Sequence, residues 1–184
     1  PNGIQLTGYA DLPQRLTKKP GETLYLGFFA RMCADKGLDT VVDAFIELRR
    51  RNRIPHLKLR IGGGCGPGDD AFVAEQKDKL QAAGILEDVT FHPNVSRAEK
   101  IAFYASCDVL SVPAKISEAF GLYVIESLAA GTPLACEVVG FDGGLAVAMP
   151  LGDLTGVGPD DEVEAQGGPL SIPVAPGLLG RVVD

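Results

Sequence analysis

A chain of 184 residues is long enough to bury one sound core and too short for two domains of ordinary size, so one domain, or one domain with a tail, is expected. Its formal charge of −7 argues against a general nucleic-acid binder, although a local cationic seat for a small anion is compatible with an acidic protein. No apolar run reaches the roughly 18 residues needed to span a bilayer, and no charged, apolar, small-residue leader opens the chain, so a soluble, cytoplasmic protein is expected and a membrane contact is not indicated.

Residues 1–22 begin with turn chemistry, Pro1-Asn2-Gly3-Ile4, and show no periodic pattern. Residues 23–29 (T-L-Y-L-G-F-F) form an apolar run of strand type, followed over 37–51 by Leu38, Val41, Val42, Phe45, Ile46 and Arg49 at helical spacing. Arg31 and Lys36 flank the loop between them. A planar guanidinium and a compact ammonium at a strand exit suit the oxygens of a diphosphate, and two solvated loop cations are the plain alternative. The arginines at 49, 50, 51 and 53 complement the helix C-terminus, with a membrane or partner surface as the other reading.

The cycle repeats with strand 57–61 and helix 70–83, then strand 89–91 and helix 97–105, where Ser96 and Glu99 make a capping-box signature. The glycine-rich stretch 62–68 follows the second strand. It fits neither G-x-G-x-x-G nor the P-loop pattern, and reads as a loop that lets backbone approach a ligand or as a long turn. Asn94 and Val95 leave the third strand toward the same end of the sheet and would border a nucleotide base, unless they are an ordinary strand exit. A fourth cycle joins strand 108–112 to a helix near 120–130 that Gly131 closes, and residues 134–136 suggest a fifth strand. The predicted class is therefore α/β: a Rossmann-like parallel sheet with helices on both faces and any ligand beyond the carboxyl ends of the strands.

Glu118 and Glu126 lie eight apart around the start of the fourth helix, with Gly121 between them. Phe120, Gly121 and Leu122 would present backbone N–H groups at that start, where unpaired donors and partial positive charge favour a phosphate. Glu126 sits in sequence among Val124, Ile125, Leu128 and Ala129, where a carboxylate needs a partner.

Cys33, Cys65, Cys107 and Cys136 are dispersed with no C-x-x-C pair and are expected to be free thiols. His56 and His92 are isolated, so local spacing assembles no metal site. Residues 150–184 are rich in Gly and Pro, and the segment 151–184 has one arginine against six acids, so most of the negative charge belongs to this irregular or disordered tail.

These residues together resemble the C-terminal, donor-binding half of family 4 retaining glycosyltransferases, which have the two-domain GT-B fold. The likeness is carried by Pro1-Asn2-Gly3-Ile4, similar to an interdomain linker over 1–22; by L-G-F-F-A-R-M-C-A-D-K-G-L at 26–38; by D-V-L-S-V-P at 108–113; and by S-E-A-F-G-L-Y-V-I-E-S-L-A-A-G-T-P at 117–133, which matches the family's E-x7-E pattern. The resemblance implies a Rossmann-like nucleotide-sugar domain over 23–149. It assigns Arg31 and Lys36 to the diphosphate, Glu118 to the donor sugar and the backbone of Phe120, Gly121 and Leu122 to phosphate. Glu126 would take the ribose hydroxyls. As catalytic residues it names Glu118, Arg31 and Lys36.

The implied reaction moves a hexose-type sugar from a nucleoside diphosphate to an acceptor hydroxyl with retention, needing no metal or other cofactor. The acceptor would be held by an N-terminal domain absent from this sequence, so a fragment or one part of a split enzyme is expected. Two alternatives remain: a non-catalytic nucleotide-sugar-binding module and a GT-B sugar-nucleotide epimerase.

Overall fold

The computed structural model describes residues 4–12, 18–19, 21–116, 121–132, 136–142 and 145–150. Four parallel strands, β1 (Leu24–Phe29), β2 (Leu57–Gly63), β3 (Val89–Pro93) and β4 (Val109–Leu110), make the main sheet in the order β3-β2-β1-β4. The intervening helices are α1 (Leu38–Arg51), α2 (Asp70–Ala82) and α3 (Arg97–Ala105), and α4 (Leu122–Ala129) follows β4. This is the Rossmann-like α/β class that the alternation of strands and helices implied.

The chain winds outward from β1 through β2 to β3, then returns to place β4 on the other side of β1. Right-handed crossovers put α1 and α2 on one face of the sheet and α3 on the other. The packing follows: α1 lies against α2, and α3 against α4. Leu26 and Phe28 of β1 are fully buried, as are Val42 and Phe45 of α1. Each such side chain stabilises the fold by about 1.5–3 kcal/mol. On the alternate side of β1, Phe29 meets Phe103 and Tyr104 of α3, both at 5.0 Å between ring centroids. Gly27 faces Cys107 so closely that an added Cβ would lie 2.6 Å from its Sγ. Glycine there lets the connection between α3 and β4 settle onto the sheet.

The helix ends follow local chemistry. Ser96 caps α3 with its side chain accepting from the Glu99 N–H, while Glu99 Oε2 accepts from the Ser96 N–H, so the capping box read from sequence is formed. Gly131 ends α4 in the left-handed region at φ 71°, and the following Thr132 is buried, its hydroxyl donating to Tyr104 O at 2.6 Å. Arg49 donates to Pro55 O and pairs with Asp88, and Arg50 and Arg51 pair with Glu47, so three of the four clustered arginines have partners within the fold.

Of the fifth strand expected over 134–136, residues 134 and 135 lie outside the described residues. Cys136 opens β5 (Cys136–Asp142), which pairs antiparallel with β6 (Leu145–Pro150) in a separate two-stranded sheet, with an irregularity between Val138 and Gly140. Residues 143–144 between the two strands lie outside the described residues. Residues 151–184 lie outside the described residues. Near the other end, residues 4–12 pack against α3: Tyr9 is buried, and Arg97 donates to Gln5 O at 2.6 Å.

Candidate functional site

The order β3-β2-β1-β4 places the topological switch between β1 and β4, where a doubly wound sheet opens a crevice at its carboxyl edge. The loop after β1 carries Arg31 and Lys36, and the loop after β4 leads toward Gly121 and α4. The two loops touch. Gly37, at φ 75°, comes so close to the second loop that an added Cβ would stand 1.9 Å from Pro113 O. Lys115 N donates to Asp35 O at 2.9 Å, and Lys115 Nζ pairs with Asp39 at 2.5 Å. Burial pushes the Asp39 carboxyl up, but Lys115 and the Thr40 N–H outweigh it and the net shift is downward.

Arg31 does not project alone. Its Nε donates to both oxygens of Asp69 at 3.1 Å, and its Nη2 lies 3.0 Å from Oδ1. Asp69 Oδ2 also accepts the Gly66 N–H at 2.9 Å, so one carboxylate ties the β1 loop to the glycine-rich loop. The Arg31 hydrogen bonds, then the Gly66 N–H, hold the Asp69 carboxyl below its ordinary range. Arg31 remains 64% exposed on the other side, where its guanidinium is open to a further anion. Lys36 ends the 3₁₀ turn Ala34–Lys36, directly before Gly37 and the start of α1.

The glycine-rich loop is held from its far side by Asn94. At φ 52° this residue turns the chain out of β3; its Oδ1 accepts the Cys65 N–H at 2.9 Å and its Nδ2 donates to Cys65 O at 2.7 Å. Asn94 N also donates to Gly63 O at 2.8 Å. Position 63 requires glycine on two counts: its φ is 126°, and an added Cβ would stand 1.9 Å from Ala30 O. These contacts frame a cleft of about 390 Å³. Its walls are Phe29, Gly63 and Gly64 from the ends of β1 and β2, and Asn94, Val95, Arg97 and Lys100 from the entrance to α3.

Glu126 of α4 lies beside this cleft and is only 9% exposed. Lys100 Nζ pairs with its Oε1, and the Tyr104 hydroxyl donates to its Oε2 at 3.0 Å. Burial, then the nearby Glu126 charge, pushes the Tyr104 phenol far above its ordinary pKa and keeps it a donor. A smaller pocket of about 170 Å³ opens on the other side of Glu126, walled by Ile4, Gln5, Tyr9, Arg97 and Leu122. The Tyr9 phenol is raised to about 12 by burial and by Glu126, with Arg97 opposing.

The positions singled out from sequence thus fall in three groups. Arg31 and Lys36 share the rim between β1 and β4 with the loop leading to Gly121; Asn94 and Val95 line the wider cleft, and Leu122 and Glu126 the smaller pocket. Glu118 and Phe120 lie outside the described residues. The need of Glu126 for a partner is met inside the protein, by Lys100 and Tyr104, and its neighbour Leu128 is itself exposed, so burial of the charge alone does not require a ligand. Sequence reasoning missed Asp69, Arg97, Lys100 and Tyr104. Lys100 and Tyr104 carried a signal, since an i, i+4 pair shares one helix face; Asp69 carried none beyond its place before α2.

Among the described residues, no group of three or more His, Cys, Asp or Glu side chains is placed to hold a metal ion, and no helix is long and apolar enough to cross a membrane. Cys33, Cys65 and Cys107 are free thiols.

The chain is 32% identical to the D-inositol 3-phosphate glycosyltransferase of Kineococcus radiotolerans over 166 residues, covering 86% of this chain and 37% of that protein. With the protein of the same name from Nocardia farcinica it shares 36% identity over 159 residues, 81% of this chain and 33% of the relative. It therefore spans about a third of the length of these curated relatives. Among solved structures, Anabaena HepE in complex with UDP and glucose superposes with a TM-score of 0.57 at 21% identity, over 72% of this chain and 35% of that one. The C-terminal domain of the group 1 glycosyl transferase LpcC from Francisella tularensis gives 0.54 at 21% identity, over 72% and 64%. The family model "Glycosyl transferases group 1" matches residues 13–142, and the chain belongs to that family.

Proposed function

We propose that this chain is the donor-binding portion of a retaining, metal-independent glycosyltransferase of the GT-B type, family 4, which moves a hexose-type sugar from a nucleoside diphosphate to an acceptor hydroxyl. The observation that carries the reading is the contact between the β1 and β4 loops at the switch of the sheet, Gly37 against Pro113 and Asp35 against Lys115. It brings the loop that carries Arg31 and Lys36 against the loop that follows β4. A diphosphate resting there meets two cations and the opening amides of a helix. In this reading those groups stabilise the charge that develops on the leaving diphosphate, the role a metal fills elsewhere.

Asn94 and Val95 border the base, Glu126 accepts the ribose hydroxyls and Glu118 contacts the donor sugar. The acceptor is held by a second domain, as the share of the relatives that this chain spans suggests. Closure of the two domains would orient both substrates and exclude water. The cytoplasm, where nucleotide sugars are made, is the proposed location.

UDP is the first probe, because solved neighbours contain it. UDP or UDP-glucose without metal is expected to raise the thermal midpoint, by the equivalent of about 2.7 kcal/mol at a hundredfold excess over Kd. No shift with millimolar UDP, GDP or ADP overturns the proposal. Binding without sugar transfer in any pairing with an acceptor domain would leave a binding module in place of an enzyme.

A further inference from the structure

We infer that Lys100 is a positioning residue of the nucleotide seat, acting through Glu126 to set selection for the ribose. The inference rests on the proposal that Glu126 takes the ribose hydroxyls. It begins from the geometry of three side chains. Lys100 and Tyr104 stand one turn apart on α3 and reach across to the same carboxylate on α4, each taking a different oxygen. A carboxylate held at one oxygen can still rotate about its terminal torsion, whereas one held at both is fixed in plane. Two lone-pair directions remain, one on each oxygen, for a pair of adjacent hydroxyls.

The location of the pair supports a role in the site over a purely structural one. Lys100 lines the wider cleft together with Asn94 and Val95, and Glu126 lines the smaller pocket beside Tyr9. Their contact therefore lies at the junction of the two hollows, where a nucleoside reaching from the base wall toward the switch of the sheet would pass. Both side chains keep some exposure, 27% for Lys100 and 12% for Glu126, so the pair is reachable by a ligand. Lys100 is poorly suited to serve as a phosphate ligand itself, because its ammonium is engaged by Glu126 and Arg31 and Lys36 stand on another loop.

The test compares UDP with 2′,3′-dideoxy-UDP, by calorimetry on the full chain. Wild type is expected to prefer UDP. Lys100→Met keeps the aliphatic stem and removes the charge; it is expected to weaken UDP about tenfold while leaving the dideoxy analogue within about twofold. In a Glu126→Gln background the same substitution is expected to cost nothing further, since the two residues act as a unit. Lys100→Arg is expected to restore most of the preference.

Equal weakening of both nucleotides, or losses that add in the double variant, overturns the inference and leaves the functional proposal standing. Failure of wild type to bind any of UDP, GDP and ADP sinks both; where GDP or ADP binds in place of UDP, the comparison is made with that nucleotide and its 2′,3′-dideoxy analogue. Should Lys100→Met not fold, Lys100→Gln, which still donates to Oε1 without charge, is read in the same way: a selective loss on UDP supports the role, and an equal loss on both ligands ends it.

Discussion

Asp69 grips the Arg31 guanidinium with both carboxylate oxygens and uses one of them to hold the Gly66 N–H as well. The cation proposed to meet a diphosphate is therefore aimed by a residue on a different loop. Arg31→Ala is expected to weaken UDP about tenfold or more, the scale of a lost charge-assisted hydrogen bond. Asp69→Asn, which keeps an acceptor and loses the charge, is expected to weaken it less, by a few fold. Titration calorimetry of the two variants checks this order; an Asp69→Asn chain that binds more tightly than wild type would show that the pair restrains Arg31 in place of aiming it.

The fastening of the glycine-rich loop by Asn94 can be isolated with little backbone cost. Asn94 sits at φ 52°, a conformation that glycine adopts freely, so Asn94→Gly removes the two side-chain bonds to Cys65 and leaves the turn. A local loss of about 1 kcal/mol is expected, seen as roughly five- to tenfold faster hydrogen exchange at the Cys65 amide. Unchanged exchange there would mean that the Asp69 contact alone secures the loop.

At Gly37 both conformation and space exclude a side chain, with φ at 75° and Pro113 O standing where the Cβ would go. Gly37→Ala is expected to destabilise the fold by about 1–3 kcal/mol through backbone strain and separation of the β1 and β4 loops. Urea denaturation measures it. A variant within 0.5 kcal/mol of wild type, about the scatter of neutral surface changes, would show that the two loops separate without cost.

His92 supplies a pH dependence of stability. Burial, then the nearby Arg60 charge and with Glu99 opposing, lowers its pKa below the ordinary value near 6.5. In that window the unfolded chain binds the proton and the folded chain does not. Stability is therefore full above about pH 6.5 and falls as the pH drops through the folded value. His92→Gln is expected to flatten this part of the profile relative to wild type. Parallel urea midpoints for both proteins from pH 8 to pH 5 would refute the assignment.

Period and punctuation made the main sheet readable. The spacing of Leu38, Val41, Val42 and Phe45 gave α1 to within a residue, and Ser96 with Glu99 gave both the start and the cap of α3. Order in the sheet was not in any segment: that β4 returns to the β1 edge depends on crossovers that no local pattern states. The antiparallel pairing of β5 with β6 was not anticipated, because the sequence reading placed no strand beyond residue 136.

For the candidate site, residue types at strand exits could be picked out, and Arg31, Asn94 and Val95 fall at the carboxyl edge as that rule requires. Their partners were hidden, because the contacts joining Asp69 to Arg31 and Lys100 to Glu126 span 38 and 26 positions. Only the folded chain brings such pairs together.

The nine residues of α3 serve as chassis for much of what surrounds the wider cleft: the Asn94 turn leads into it, Arg97 docks the segment at Gln5, and Lys100 and Tyr104 brace Glu126. So short a helix has little autonomy and survives on its cap and its neighbours. Lesions far from any ligand, at Ser96 for instance, would then masquerade as defects of recognition, and screens that score only activity would misfile them.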